Sequence, residues 1–388
     1  MVDQTALPSP LQQIDRTYVL WRGRKLSYFG GCDYFRLSSH PQILKAIRDG
    51  LDRFGLNVAA SRFTTGNHVL YGQLEAELCR FFRTETATLL SNGYAANIVA
   101  AQALAGEFSH AFIDSRAHQS LRDCLPFLQC EVSEFPHRDV AGLTAKVKRR
   151  GGKARILVVT DGLFSHNGSL APLARYLEIL PTGSRILLDD AHGAGTIGPT
   201  GRGTVEALGI ESPFIIQTIS LSKAFGVYGG AILGPKSLRK KLLRRSPLIK
   251  GNTPLPLPLA YAAIRAVALL RGEKSLRQRL QEKAAYVHSA AGDGGTGGPE
   301  SLIPIIALCP STPQRARILR ERLLAEEIFP TEIRYHTNQT YFRFAISSEH
   351  ARGQFEALIR ACRREFAALA ATRIKPAASR LLRPGKRL

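Results

Sequence analysis

A chain of 388 residues can hold one large catalytic domain plus a smaller one, or two to three ordinary domains. With 44% apolar and 8% aromatic residues it can bury a substantial core, which excludes global disorder. Lys and Arg number 53 against 31 Asp and Glu, a net charge of +22. That charge calls for an anionic partner without choosing among nucleic acid, a membrane surface, a phosphorylated small molecule or an acidic protein.

Residues 1–37 read as an N-terminal arm. Its polar start, residues 1–16, has no apolar core of a signal peptide, and a single strand is predicted at Lys25–Phe29, before the Gly30-Gly31 turn. Helical spacing begins after His40, with Ile43, Ala46, Ile47 and Leu51 on one face, and a second amphipathic helix is predicted over Tyr71–Phe82. Buried strands are predicted at Ala87–Leu90, Ala111–Asp114, Ile156–Thr160, Arg185–Asp189, Phe214–Thr218 and Gly229–Leu233, separated by helix-like segments. Several end in a polar residue: Asp114, Asp161, Asp189 and Ser220. Continuous apolar runs of this kind predict a mostly parallel sheet covered on both faces, with ligands at the carboxyl ends of the strands.

A long helical region is predicted over Leu257–Ala290, followed by the Gly292–Gly298 loop. Leu302–Leu308, Gln314–Glu326, Tyr341–Ile346 and His350–Leu369 then read as strand, helix, strand and helix. The expected organisation is an arm (1–37), a large domain (38–275), a smaller C-terminal α+β domain (276–371) and a basic tail (372–388). Cys32, Cys79, Cys124, Cys130, Cys309 and Cys362 have no CxxC spacing, so free thiols in a reducing cytoplasm are expected, with neither disulfide nor metal site. No apolar run approaches the roughly 20 residues needed to span a bilayer, so no membrane span is expected.

Two stretches carry chemistry. In Ile219-Ser220-Leu221-Ser222-Lys223-Ala224-Phe225-Gly226 a lysine follows a buried strand; alone it reads equally well as a surface lysine. In Leu187-Leu188-Asp189-Asp190-Ala191-His192-Gly193 an apolar strand delivers an aspartate to its end and a histidine follows three residues on; alone these read as a helix cap and a satisfied core histidine. Each bland reading of this aspartate and histidine would win alone; with all three residues in one chain, they lose.

The combination resembles the α-oxoamine synthases, a family of pyridoxal-phosphate enzymes of fold type I. Further stretches carry the resemblance: Gly66-Asn67-His68, Gln73-Leu74-Glu75, Ser91-Asn92-Gly93-Tyr94-Ala95-Ala96-Asn97, Asp114-Ser115-Arg116-Ala117-His118-Gln119-Ser120 and Thr160-Asp161-Gly162-Leu163-Phe164-Ser165. It runs from about Tyr28 to His350. What it implies is an α/β fold with a mostly parallel central sheet, helices on both faces and a smaller C-terminal α+β domain. It also implies pyridoxal 5′-phosphate held by Lys223 as a Schiff base, with Asp189 paired to the ring nitrogen, His192 at the ring oxygen, His118 stacked on the ring and Ser165 beside it. Gly93, Tyr94 and Ser220 would hold the phosphate, with Thr253 as the candidate hydroxyl contributed across a homodimer interface. Arg343 in Tyr341-Phe342-Arg343 would grip the amino acid carboxylate, and Thr331 in Phe329-Pro330-Thr331 would lie near the acyl substrate.

The implied reaction joins a small amino acid, alanine first, to an acyl thioester of CoA or acyl carrier protein, with loss of CO₂. An aminotransferase, a family member using a different thioester and a non-catalytic family subunit stay open as alternatives. Nucleic-acid binding is not expected, because no helix-turn-helix, zinc knuckle or aromatic-basic sheet accompanies the charge. The chain departs from the family pattern at Cys32, where an asparagine is usual, at Val58-Ala59-Ala60-Ser61-Arg62 in place of a Gly-Gly-Ser stretch, at Asp161 in place of glutamate, and at His166-Asn167 in place of Met-Asp. The family's acyl-carboxylate arginine has no clear counterpart in this short arm, and Arg16 is not assigned to it.

Overall fold

The computed structural model describes residues 7–291, 302–334 and 340–373. The predicted loop at 292–298 and the tail beyond 373 lie outside the described residues.

The arm is more structured than expected. Instead of one strand it forms a three-stranded antiparallel sheet of β1 (Gln12–Asp15), β2 (Tyr18–Trp21) and β3 (Arg24–Ser27). These strands have four residues each, and β1 is fully exposed, so no buried run announces them.

The central sheet has seven strands: β4 (Thr86–Leu90), β5 (His110–Asp114), β6 (Glu131–Phe135), β7 (Ile156–Asp161), β8 (Arg185–Asp189), β9 (Ile215–Ser220) and β10 (Gly230–Gly234). Their order is β4-β10-β9-β8-β7-β5-β6, and β10 alone runs antiparallel to its neighbours. The parallel core follows from the sequence. Every residue of β7 is buried, with Ile156 and Val158 packed into one apolar cluster and Leu157 and Val159 into the cluster on the opposite face. Each such side chain contributes roughly 1.5–3 kcal/mol by leaving water.

The first of those clusters includes Phe135, Leu143, Val147 and Tyr176. The second is built largely from the helix Gly93–Leu104, whose alanines let it lie close to β9 and β10. The edge strand β6, EVSEF, was not among the predicted strands: its polar residues give no apolar run because one edge and much of its surface face solvent.

The predicted helical region 257–290 is two helices, Leu257–Gly272 and Lys274–Ala290, separated at Glu273 after the weak helix former Gly272. A second antiparallel sheet closes the fold, made of β11 (Ile305–Leu308), β12 (Glu332–Arg334) and β13 (Thr340–Ala345) in the order β11-β13-β12. The arm runs against it: Ser27 N donates to Glu327 O at 2.7 Å and Ala345 N donates to Phe29 O at 2.7 Å. This brings the segment after β3, with Cys32 and Tyr34, to the edge of the site. No helix among the described residues is long and apolar enough to cross a membrane.

Candidate active site

Because β4, β5, β7, β8 and β9 run in one direction, their carboxyl ends share one edge of the sheet. That edge receives Asp114, Asp161, Asp189 and Ser220. The antiparallel β10 pairs Gly230 with both Leu90 and Ser220. The start of the helix Gly93–Leu104 and the Lys223 turn are thereby held together. A Cβ on Gly230 would come within 2.5 Å of Asn92 backbone, and one on Gly93 within 3.0 Å of Ser220 Cβ, so this close approach needs glycine at both positions.

Asp189 is buried at the end of β8. Its Oδ2 accepts from Asn97 Nδ2 at 2.6 Å and from Ser120 Oγ at 3.4 Å, and its Oδ1 accepts from Ala191 N at 3.0 Å. Asn97 is itself fixed, accepting from Thr218 Oγ1 at 2.7 Å. Asp161 is the register partner of Asp189 on β7, and its Oδ2 accepts the backbone N–H of His118 at 2.8 Å. Burial first, and then the charge of Asp189, hold the Asp161 carboxyl well above the usual carboxylate range.

The imidazole of His118 meets Ser120 Oγ at 2.8 Å. Burial lowers its pKa; Asp189 opposes this, and Lys223 and Arg343 add to it. His192 is deeply buried, with Nδ1 2.8 Å from Tyr34 Oη. Burial, then Lys223, Arg343 and His118, hold it well below 6.5, so it is neutral. In the tautomer where Tyr34 donates to Nδ1, the ring proton of His192 sits on Nε2, from which it would donate to an oxygen in the cleft.

The same electrostatic neighbours show that His118, Asp189, His192, Lys223 and Arg343 converge. Ser220 is buried beside them and accepts from Ser222 N at 3.2 Å. Ser165 is buried in the loop after β7. Tyr94 is exposed, donates its hydroxyl to Asp123, and has its ring 6.2 Å from that of His118. The N–H groups of Gly93 and Tyr94 open a helix capped by Asn92, a position where backbone donors and the helix dipole favour an anion.

On the opposite wall Arg343 Nη2 lies 3.7 Å from Cys32 Sγ, and Arg343 N donates to Thr331 O at 3.0 Å. Thr331 Oγ1 is buried without a hydrogen-bond partner among the described residues. Thr253 does not join the cluster; it is exposed between the helices Pro247–Gly251 and Leu257–Gly272. Asn97, Tyr34 and Ser120 were given no role from sequence. Asn97 is the one polar side chain buried in an alanine-rich helix, and that is the feature that could have marked it.

A seven-stranded sheet with one reversed strand, and a lysine, two histidines and an aspartate at its carboxyl edge, defines a type I pyridoxal-phosphate transferase fold. A model of the aminotransferase class I and II family matches residues 30–361. The chain is similar to 8-amino-7-oxononanoate synthase of Thioalkalivibrio sulfidiphilus, with 32% identity covering 89% of each protein. It is likewise similar to the same-named protein of Trichlorobacter lovleyi, with 31% identity covering 91% of this chain and 93% of that one. Among solved structures, serine palmitoyltransferase of Sphingomonas wittichii superposes with a TM-score of 0.83 at 26% identity, covering 96% of this chain and 94% of that one. The 8-amino-7-oxononanoate synthase of Francisella tularensis gives 0.74 at 25% identity, covering 88% and 99%. The chain belongs to the aminotransferase class I and II family and, within it, to the α-oxoamine synthases, acyltransferases that work with pyridoxal 5′-phosphate.

The residues present fit that cofactor. A buried carboxylate with three donors on it suits a protonated ring nitrogen, a neutral histidine suits the ring oxygen, and the glycine-lined helix start suits the phosphate.

Proposed function

We propose that the chain condenses an amino acid with an acyl thioester, releasing CO₂ and the free thiol and yielding an α-amino ketone. The single observation that carries this reading is the convergence of Lys223, Asp189, His192 and His118 with Arg343 facing them. Bound pyridoxal phosphate supplies an electron sink for the Cα–H and Cα–carboxyl bonds. Lys223 holds the cofactor through its amine and, once displaced by the amino acid, takes the Cα proton. Asp189, braced by Asn97, keeps the ring nitrogen protonated. His192 donates from Nε2 to the ring oxygen, His118 covers the ring face, and Ser165 lies beside it. Gly93, Tyr94 and Ser220 hold the phosphate. Arg343 grips the substrate carboxylate through its planar fork, and Thr331 offers its hydroxyl to the acyl group.

The balance is closed. The Cα–H bond breaks, the new Cα–acyl bond forms as the C–S bond breaks, and the thiol leaves with a proton. The Cα–carboxyl bond then breaks to give CO₂, and one proton returns to Cα. The substrates we propose first are L-alanine and a pimeloyl thioester, as in biotin synthesis, in keeping with the named relatives. A second reading is a thioester with no terminal carboxylate: the arm supplies no clear acyl-carboxylate arginine, and Arg16 is already engaged. This arginine is bound to Glu349 at 2.7 Å and to the carbonyls of Phe35 and Arg36, so it is not free for an acyl carboxylate.

We further infer a homodimer, with Thr253 reaching the partner's phosphate site. Leu56 and Phe63, exposed between the helices Pro41–Phe54 and Val69–Phe82, and Val69 at the start of the second, suit such an interface. The six unpaired thiols suit the cytoplasm. The test is to incubate the cofactor-loaded protein with L-alanine and a panel of CoA and carrier-protein thioesters while following CO₂ and free thiol. Release of both in equal amounts is the expected result. Conversion of amino acid to keto acid without thiol release would show an aminotransferase instead.

A further inference from the structure

Arg343 comes from the C-terminal sheet, whereas Lys223, His118, His192 and Asp189 stand on the central sheet. We propose that Arg116 and Tyr341 form the joint that sets Arg343 against those groups, and so act as positioning residues for the amino acid carboxylate. The inference rests on the carboxylate role proposed above for Arg343.

Tyr341 lies two residues before Arg343 on β13, so both side chains project from the same face of the strand. The buried Tyr341 accepts at Oη from Arg116 Nη1 at 3.3 Å, and its hydroxyl donates to the sulfur of Cys309. Arg116 belongs to the turn that presents His118. That turn is held at three points: Arg116 N donates to Asp114 Oδ1 at 2.8 Å, Arg122 Nη2 donates to Ser115 O at 2.6 Å, and His118 N donates to Asp161 Oδ2 at 2.8 Å. One side-chain bond therefore joins a rigid turn carrying His118 to the strand carrying Arg343.

His166 backs the joint. Its ring centroid is 6.3 Å from that of Tyr341 and 5.0 Å from that of His137. His137 is braced in turn, with Nδ1 3.0 Å from Asp114 Oδ1 and Nε2 3.2 Å from Ser169 Oγ. In the same loop Gly168, at φ +75°, lies so close to β11 that an added Cβ would sit 2.9 Å from Ile305 O. Burial, followed by the charges of His137 and Arg116, keeps His166 neutral, with its pKa lowered to about 3, so it packs on Tyr341 without competing with Arg116 as a second cation. His166 is a departure from the family pattern, and it stands where this joint needs a neutral ring. A guanidinium that binds a carboxylate through two parallel bonds tolerates little displacement, so loosening the joint should be felt first in amino acid binding.

The experiment uses the cofactor-loaded protein and L-alanine as the probe, titrated against the visible absorbance of the bound cofactor without thioester, and then KM and kcat for L-alanine with thioester present. Tyr341→Phe keeps the ring and removes the hydroxyl, with its bonds to Arg116 and Cys309; Arg116→Gln removes the charge, and Arg116→Lys partly restores it. Each of the first two is expected to weaken L-alanine binding about tenfold, with the larger part of the kinetic loss in KM, unchanged cofactor affinity, and partial recovery in Arg116→Lys. The double variant should be no weaker than either single one. L-Alanine affinity within about twofold of the parent in both singles, or fully additive losses in the double, overturns the joint. Arg343→Ala is the control: if it weakens L-alanine while Tyr341→Phe does not, only the joint fails, and if Arg343→Ala has no effect, the carboxylate assignment fails instead.

Discussion

Asn97 donates its side-chain amide to Oδ2 of Asp189 across 2.6 Å, linking a helix on one face of the sheet to the end of β8. Ser120 gives the same oxygen only a longer contact of 3.4 Å. On the proposed assignment Asn97 keeps the carboxylate aimed at the cofactor ring. Asn97→Ala should therefore weaken cofactor retention about tenfold, the magnitude typical of losing an outer hydrogen bond to a liganding group. Dialysis of the loaded protein, followed by the visible absorbance that remains, measures it. Retention equal to the parent would remove Asn97 from the site.

Lys223 stands on the turn between β9 and β10, half-buried, among groups that all face the same space. Lys223→Ala should abolish the visible band of covalently held cofactor. It should also slow thiol release by about 10²–10⁴-fold, the range expected when a positioned acid–base group is lost. Condensation at the parent rate would end the proposed role of this amine.

The central strands were legible because burial on both faces leaves unbroken apolar runs, as at Ile156–Thr160 and Arg185–Asp189, and because each run stops at a polar residue. The strands β1, β2 and β12 were not, since runs of three or four residues are too short to carry such a pattern. Within the site, Lys223, Asp189 and His192 could be read from local motifs. Tyr34 and Asn97 could not: their partners lie 158 and 92 residues away in sequence, and only the fold brings them together. Arg116 and Tyr341, 225 residues apart, escaped for the same reason.

Cys32 faces Arg343 where the family pattern has an asparagine. A thiol is a weak hydrogen-bond partner, so the amide of Cys32→Asn should add a donor for the substrate carboxylate. L-Alanine is expected to bind about three- to tenfold tighter in that variant, whereas Arg343→Ala should raise KM for the amino acid about 10–100-fold and leave KM for the thioester near the parent value. Steady-state kinetics with each substrate varied in turn separate the two effects. An equal rise in both KM values in Arg343→Ala would mean that the arginine holds the fold rather than the carboxylate.

Asp190 supplies a pH dependence of known sign. It is fully buried. Oδ1 accepts from Thr204 Oγ1 at 2.6 Å, and Oδ2 accepts from Thr204 N at 2.8 Å and Gln217 Nε2 at 2.7 Å. Burial pushes its carboxyl from the usual 3.8 up to about 7, and these donors pull only partly back. An acid whose pKa is higher folded than unfolded binds more protons in the folded state. Its contribution to stability is therefore complete below about pH 4 and is lost as the pH rises through about 7, at up to ~1.4 kcal/mol per pH unit. Asp190→Asn stays neutral throughout. Its amide can donate to Thr204 Oγ1 while its oxygen keeps the other two bonds. The melting temperature of the variant should thus fall less than that of the parent between pH 5 and pH 8, and the cost of the substitution should shrink over the same interval. Thermal scans of both cofactor-free proteins at the two pH values decide the matter, and parallel slopes would show that Asp190 is already ionised at pH 5.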